Sequence, residues 1–219
     1  MSSAPATDTI PRQPAPDTST HFSWLALGDS YTIGQSVGVS ERYPVQTTSL
    51  LQGEAINMQN PEIIAVTGWT TQDLLNALKN KTAATPYSIV TLLIGVNNQY
   101  QGRSLDEYRI QFTQLLLQSI QLAGNRAGRV IVLSVPDYSV TPFAAGSDRA
   151  SIASRIDDFN AANKSISVQY QVQYLDITAA SRKAATDPTL IAADSLHFSG
   201  KEYRVWSSML EPLIKQALQ

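Results

Sequence analysis

Apolar and polar positions along this chain follow two alternating rhythms. Five short runs rich in β-branched and apolar side chains, at residues 22–27, 62–66, 87–94, 129–135 and 172–177, predict strands. Stretches with helical spacing lie between and after them, at residues 44–51, 71–78, 105–123, 148–168 and 200–218. In the third of these, Tyr108, Phe112, Leu115, Leu116, Ile120 and Ala123 recur at helical steps, which lays them along one face. Near-continuous apolar strands alternating with amphipathic helices predict an α/β domain whose parallel sheet is covered on both faces. Ligands of such sheets bind beyond the carboxyl ends of the strands, so reactive residues are expected just past each strand.

Four strand-end segments carry residues of interest. The first strand runs into Gly28, Asp29, Ser30 and Tyr31. Gly28 permits a tight exit, and Ser30 then stands above the sheet, where its hydroxyl is a nucleophile if a base reaches it. The same residues also read as an ordinary helix cap. After the second strand, Gly68 presents a backbone N–H without a Cβ in the way, or simply makes a strand-to-helix turn. After the third, Asn97 offers a neutral amide donor suited to an oxyanion, or a turn residue bonding its own backbone. Past the fifth come Asp194 and His197, three positions apart, so that a carboxylate can orient an imidazole. Their simpler reading is a helix cap and a loop histidine. The only other histidine, His21, borders the polar N-terminal stretch, so imidazole chemistry falls on His197. Together the four segments supply a nucleophile, oxyanion donors, a base and its orienter, the inventory of acyl transfer.

Composition removes several rivals. The 219 residues carry a formal net charge of -2, with 16% charged, and no basic cluster marks a nucleic-acid partner. No apolar run is long enough to span a bilayer. Cysteine is absent, which excludes disulfides, thiolate nucleophiles and zinc–thiolate sites. One histidine in the folded part leaves no polyhistidine metal site, and no cofactor is expected. Residues 1–20, with Pro5, Pro11, Pro14 and Pro16 among small polar side chains, read as a flexible tail ahead of one domain at 21–219. The tail lacks the apolar centre of a signal peptide; its composition fits a tether left after removal of an export signal, which would make the protein periplasmic or extracellular, or an ordinary ragged N-terminus of a cytoplasmic protein. Trp69, Tyr100, Tyr138 and Phe143 fall in loops near the strand ends, where they line an acyl or sugar pocket or pack beneath the loops. A non-catalytic carbohydrate- or ligand-binding module is the alternative, and it would be marked by a broken set of reactive residues. A flavin or phosphate binder would need a phosphate loop after the first strand, which residues 28–34 resemble only faintly.

At these residues the chain resembles the SGNH hydrolases, also called the GDSL esterase/lipase family. The matches are Gly28, Asp29 and Ser30 in the first block, Gly68 in the second, Gly95, Val96 and Asn97 in the third, and Asp194 through His197 in the last. The resemblance implies a flavodoxin-like three-layer α/β/α sandwich around a five-stranded parallel sheet. It implies a serine esterase acting on small-acyl, lipid or acetylated-carbohydrate esters through an acyl-serine. Ser30, Asp194 and His197 would be its triad, and Ser30, Gly68 and Asn97 its oxyanion hole. Tyr31 stands where many members have leucine, and Asn98 where aspartate is frequent. The Gly-x-Ser-x-Gly elbow of the α/β-hydrolases does not occur in the chain.

Overall fold

The computed structural model describes residues 21–219; the tail expected at residues 1–20 lies outside the described residues. Five strands form one sheet: β1 (Trp24–Gly28), β2 (Glu62–Ala65), β3 (Ile89–Leu93), β4 (Val130–Leu133) and β5 (Gln173–Leu175). Every pairing is parallel, as the apolar runs predict, and the order is β2-β1-β3-β4-β5. All strands are shorter than their apolar runs, because the flanking apolar residues pack in loops rather than in the ladder.

Eight helices cover the sheet: α1 (Ser30–Ile33), α2 (Tyr43–Gly53), α3 (Thr71–Leu78), α4 (Val96–Tyr100), α5 (Leu105–Leu122), α6 (Arg149–Gln169), α7 (Thr178–Ser181) and α8 (Gly200–Leu218). Side chains of successive strand residues leave opposite faces of the sheet, which divides the core in two. Trp24, Ala26, Ile89 and Leu93 meet Tyr43 and Leu51 of α2 and Trp206, Leu210 and Ile214 of α8. Leu25, Leu27, Val90 and Leu92 meet Leu74 of α3, Phe112 and Leu115 of α5, and Phe159 of α6. These are the three layers α/β/α. Thr91, on the first of these faces, is admitted to the core because its hydroxyl accepts from Trp24 Nε1 at 3.1 Å.

The buried face of α5 differs in detail from the sequence pattern. Ser119 and Leu122 are buried, whereas Ile120 is half-buried. Ser119 tolerates burial because its hydroxyl donates to the Leu115 carbonyl at 2.8 Å. Local capping sets the helix starts. Thr70 and Asp73 cap α3 reciprocally, Ser104 accepts from the Glu107 N–H before α5, and Asp148 accepts from the Ser151 N–H before α6.

The order of the strands decides where a site can form. From β1 the chain crosses to β2 on one side, then to β3 on the other, so loops leaving β1 and β3 part in opposite directions. The crevice between them lies beyond Gly28 and Leu93, which face each other in register. Gly28 is required there: a Cβ would overlap the Leu93 carbonyl oxygen and Thr32 Oγ1. Gly95, at the mouth of the same crevice, has φ 134°, and a Cβ would sit 2.7 Å from the Tyr108 ring.

Candidate active site

Ser30 stands at the crevice as the first residue of α1. Asp29 caps this short helix, its Oδ1 accepting from the Tyr31 N–H at 3.0 Å, so the capping reading of the sequence holds for Asp29 and leaves the Ser30 hydroxyl free. Ser30 opens the helix, so its own N–H has no intrahelical partner. The side chain is 4% exposed and makes no hydrogen bond among the described residues.

Asn97, in α4 directly across the crevice, donates from Nδ2 to the Trp69 carbonyl at 2.9 Å. An amide nitrogen carries two hydrogens, so one donor is held and one remains. The bond ties the loop after β3 to the loop after β2. Gly68 lies in that second loop with φ 87°, exposed, and its N–H has no partner among the described residues.

His197 and Asp194 belong to a tight hairpin before α8. An isolated antiparallel bridge joins Ile191 to Phe198, Ala192 N–H donates to the His197 carbonyl at 2.8 Å, and Ser195 turns the chain with φ 65°. Inside this turn Asp194 accepts four donors. Oδ1 takes the N–H of Leu196 at 3.0 Å and of His197 at 2.9 Å; Oδ2 lies 2.6 Å from His197 Nδ1 and accepts from Ser36 Oγ at 2.6 Å. Burial raises the Asp194 carboxyl, but the hydrogen bonds from Ser36, Leu196 and His197 outweigh it and hold the group well below the usual carboxylate range. It is ionised at any working pH. The imidazole, 7% exposed, meets the Tyr31 ring edge-on with centroids 5.5 Å apart.

Ser30, Asn97 and His197 line one cavity of about 240 Å³, closed by Tyr31, Val96, Tyr100, Tyr138, Phe143 and Leu196. No hydrogen bond joins Ser30 Oγ to His197; the two face the same small space. Catalytic hydrogen bonds commonly tighten only when substrate binds.

Residues 26–205 match the sequence model of the GDSL-like lipase/acylhydrolase family. The chain belongs to that family. It is therefore a GDSL-type ester hydrolase, and its fold agrees with solved structures. A lipolytic protein of the G-D-S-L family from Veillonella parvula matches with TM-score 0.69 at 17% identity, over 89% of this chain and 99% of that one. Axe2, an acetylxylan esterase from Geobacillus stearothermophilus, matches with TM-score 0.69 at 20% identity, over 88% and 94%. The esterase EstA from a Pseudoalteromonas species, solved with monoethylphosphonate as inhibitor, matches with TM-score 0.69 at 16% identity, over 90% and 98%. A search of curated protein sequences finds no match.

Of the four aromatic residues singled out in the GDSL hydrolase's loops, Tyr100, Tyr138 and Phe143 line the cavity. Trp69 does not. Its ring packs partly buried against the core under α3 and α5, and only its backbone carbonyl reaches the site, through Asn97. Gly68 is likewise absent from the cavity lining. Asn98 makes a complete clamp despite replacing the frequent aspartate. Its Oδ1 accepts the Thr71 N–H at 2.9 Å and its Nδ2 donates to Thr71 Oγ1 at 2.7 Å, which passes its own proton to Gln111. Two contributors were invisible in the sequence. Tyr31 backs the imidazole, and Ser36, held at φ 67° and 158 positions away, bonds the Asp194 carboxylate. Among the described residues, no helix is long and apolar enough to cross a membrane.

Asp29 carries a measurable consequence. It is fully buried, and Oδ2 has no hydrogen-bond partner among the described residues. Burial pushes its carboxyl up to about 7 from 3.8, against the pull of the Tyr31 N–H. A folded-state pKa above the unfolded one means that the stability it confers is full below pH 3.8 and is lost as pH rises through about 7. Asp29→Asn keeps the cap but cannot titrate. The variant's melting temperature is therefore expected to gain on the wild type as pH rises from 4 to 7.5. A difference that stays flat across this range would show that Asp29 is ionised in the fold.

Proposed function

We propose that this protein hydrolyses small-acyl carboxylic esters through an acyl-serine formed on Ser30, within a single domain at residues 21–219. The observation that carries the reading is the 2.6 Å contact between Asp194 Oδ2 and His197 Nδ1, with His197 and Ser30 facing one cavity. Asp194 holds the Nδ1 proton and leaves Nε2 as the base. His197 takes the Ser30 proton as Oγ attacks the ester carbonyl, and the imidazolium is balanced by Asp194. The Ser30 N–H, the Gly68 N–H and the remaining Asn97 amide hydrogen receive the oxyanion. Collapse breaks the bond to the alkoxy oxygen, which takes the proton from His197 and leaves as alcohol. Water then gives a proton to His197 and attacks the acyl-serine; the acid departs and Ser30 Oγ regains its proton.

Cavity size supports a short acyl group. About 240 Å³ falls below the roughly 300–1,000 Å³ of pockets that take drug-sized ligands. Acetyl esters fit this reading, and Axe2, with the same fold, is an esterase of acetylated xylan. Labelling with a fluorophosphonate, then mass mapping of the adduct, tests the nucleophile. Modification is expected at Ser30, and to fall away in His197→Ala. An adduct at another residue, or rapid hydrolysis with no adduct, would overturn the assignment.

A further inference from the structure

Of the three proposed oxyanion donors, the Gly68 N–H is the least secured by the fold. The Ser30 N–H is set by α1, and the Asn97 amide by its bond to the Trp69 carbonyl. Gly68 stands in the loop after β2 with φ 87°, and no other group lies within 4 Å of where its Cβ would be. Val66, Thr67 and Gly68 are all exposed, so no buried side chain anchors this stretch. A backbone N–H stabilises an oxyanion only when it is already aimed at it. Something other than core packing must aim this one.

Two hydrogen bonds straddle Gly68. On its C-terminal side the Asn97 amide holds the Trp69 carbonyl at 2.9 Å. On its N-terminal side Thr67 Oγ1 donates to Gln35 Oε1 at 2.7 Å, the only hydrogen bond of the Thr67 side chain among the described residues. Gln35 is 32 positions away in the chain, just past α1, and its backbone is tied to the nucleophile. The N–H groups of Gly34 and Gln35 both donate to the Ser30 carbonyl, at 3.0 and 2.9 Å. The backbone of Gln35 therefore moves with Ser30, while its side chain holds the segment that carries Gly68. The next residue, Ser36, reaches Asp194, but that carboxylate has three other donors. The Ser36 arm is redundant; the Gln35 arm is not.

We propose that Gln35 is a positioning residue of the oxyanion hole: by accepting the Thr67 hydroxyl, its amide oxygen fixes the Gly68 N–H relative to Ser30. The role presupposes the acyl-serine reading of Ser30, with Gly68 as one oxyanion donor. Gln35 does not line the catalytic cavity, so it acts through Thr67 and Gly68 and touches no reacting atom. Its effect falls on the transition state, because the N–H meets full negative charge only when the carbonyl oxygen becomes an oxyanion.

The test is steady-state hydrolysis of p-nitrophenyl acetate. Gln35→Met and Thr67→Val each remove one partner of the bond at nearly unchanged size, and Thr67→Ser keeps the hydroxyl. In each of the first two, kcat is expected to fall about tenfold with KM unchanged. That is less than the roughly 100- to 1,000-fold loss for removing a whole donor, because the N–H is misplaced and not absent. Thr67→Ser should recover wild-type kcat, and Gln35→Met with Thr67→Val should be no slower than either alone, since both act through one bond. Inhibition by phenylboronic acid, whose tetrahedral adduct on serine places an oxygen in the oxyanion hole, should weaken by the same factor as kcat. Both side chains are exposed, so melting temperatures should stay near that of the wild type. Wild-type kcat in Gln35→Met and Thr67→Val, or a loss expressed in KM with boronic-acid affinity intact, overturns the positioning role. Fluorophosphonate labelling at Ser30 in that case leaves the acyl-serine reading standing. A wild type unlabelled at Ser30 overturns that reading and the role of Gln35 together.

Discussion

Ser30→Ala is expected to lower kcat on p-nitrophenyl acetate by on the order of a million-fold, and His197→Ala by a similar factor. The Ser30 effect should be purely chemical. Its hydroxyl makes no hydrogen bond among the described residues, the side chain is already buried, and alanine is well tolerated at the start of a helix. Its melting temperature should therefore stay near that of the wild type. His197→Ala is different, because the imidazole packs against Tyr31 and its removal leaves a void beside buried aromatic rings. Some loss of stability accompanies its loss of activity. The double variant separates chemistry from folding. Nucleophile and base act as one unit, so Ser30→Ala with His197→Ala should be no slower than either single variant. Residual turnover then comes from the oxyanion donors and binding alone. Ser30→Ala retaining a tenth of wild-type turnover would place the nucleophile elsewhere.

What the sequence reveals follows the range of the forces involved. Helices α3 and α8 begin and end where the apolar spacing places them, because caps and periodicity are local. Parallel order and the strand-end rule then bring Ser30, Asn97, Asp194 and His197 to one crevice without any knowledge of side-chain contacts. The short helices α1, α4 and α7 escape pattern reading, since four or five residues are too few to show a period. Side-chain direction in loops is also unreadable. Trp69 and Tyr100 both sit near strand ends, yet one ring turns down to the core and the other toward the cavity. Ser36 is the strongest case: its bond to Asp194 joins the loop after α1 to the hairpin before α8, and only the folded sheet brings those segments together.

Asp194→Asn is expected to lower kcat by about ten-thousand-fold while leaving the hairpin folded. All four contacts of Asp194 come from donors, two to each oxygen. The asparagine oxygen reproduces Oδ1 and keeps the Leu196 and His197 N–H groups satisfied, so the turn persists. The amide nitrogen then stands where Oδ2 was, facing Ser36 and His197 Nδ1 with hydrogens instead of lone pairs. The Ser36 hydroxyl adapts by rotating to accept. The imidazole adapts only by moving its proton from Nδ1 to Nε2, and Nε2–H cannot receive the Ser30 proton. Geometry is kept and the tautomer is wrong. Ser36→Ala supplies the contrast, because it removes one donor from Oδ2 and leaves the Asp194–His197 contact in place. Turnover is therefore expected to change little in Ser36→Ala, while it collapses in Asp194→Asn. Measuring kcat for both variants distinguishes the roles. An Asp194→Asn enzyme within tenfold of wild type would mean that another group orients His197.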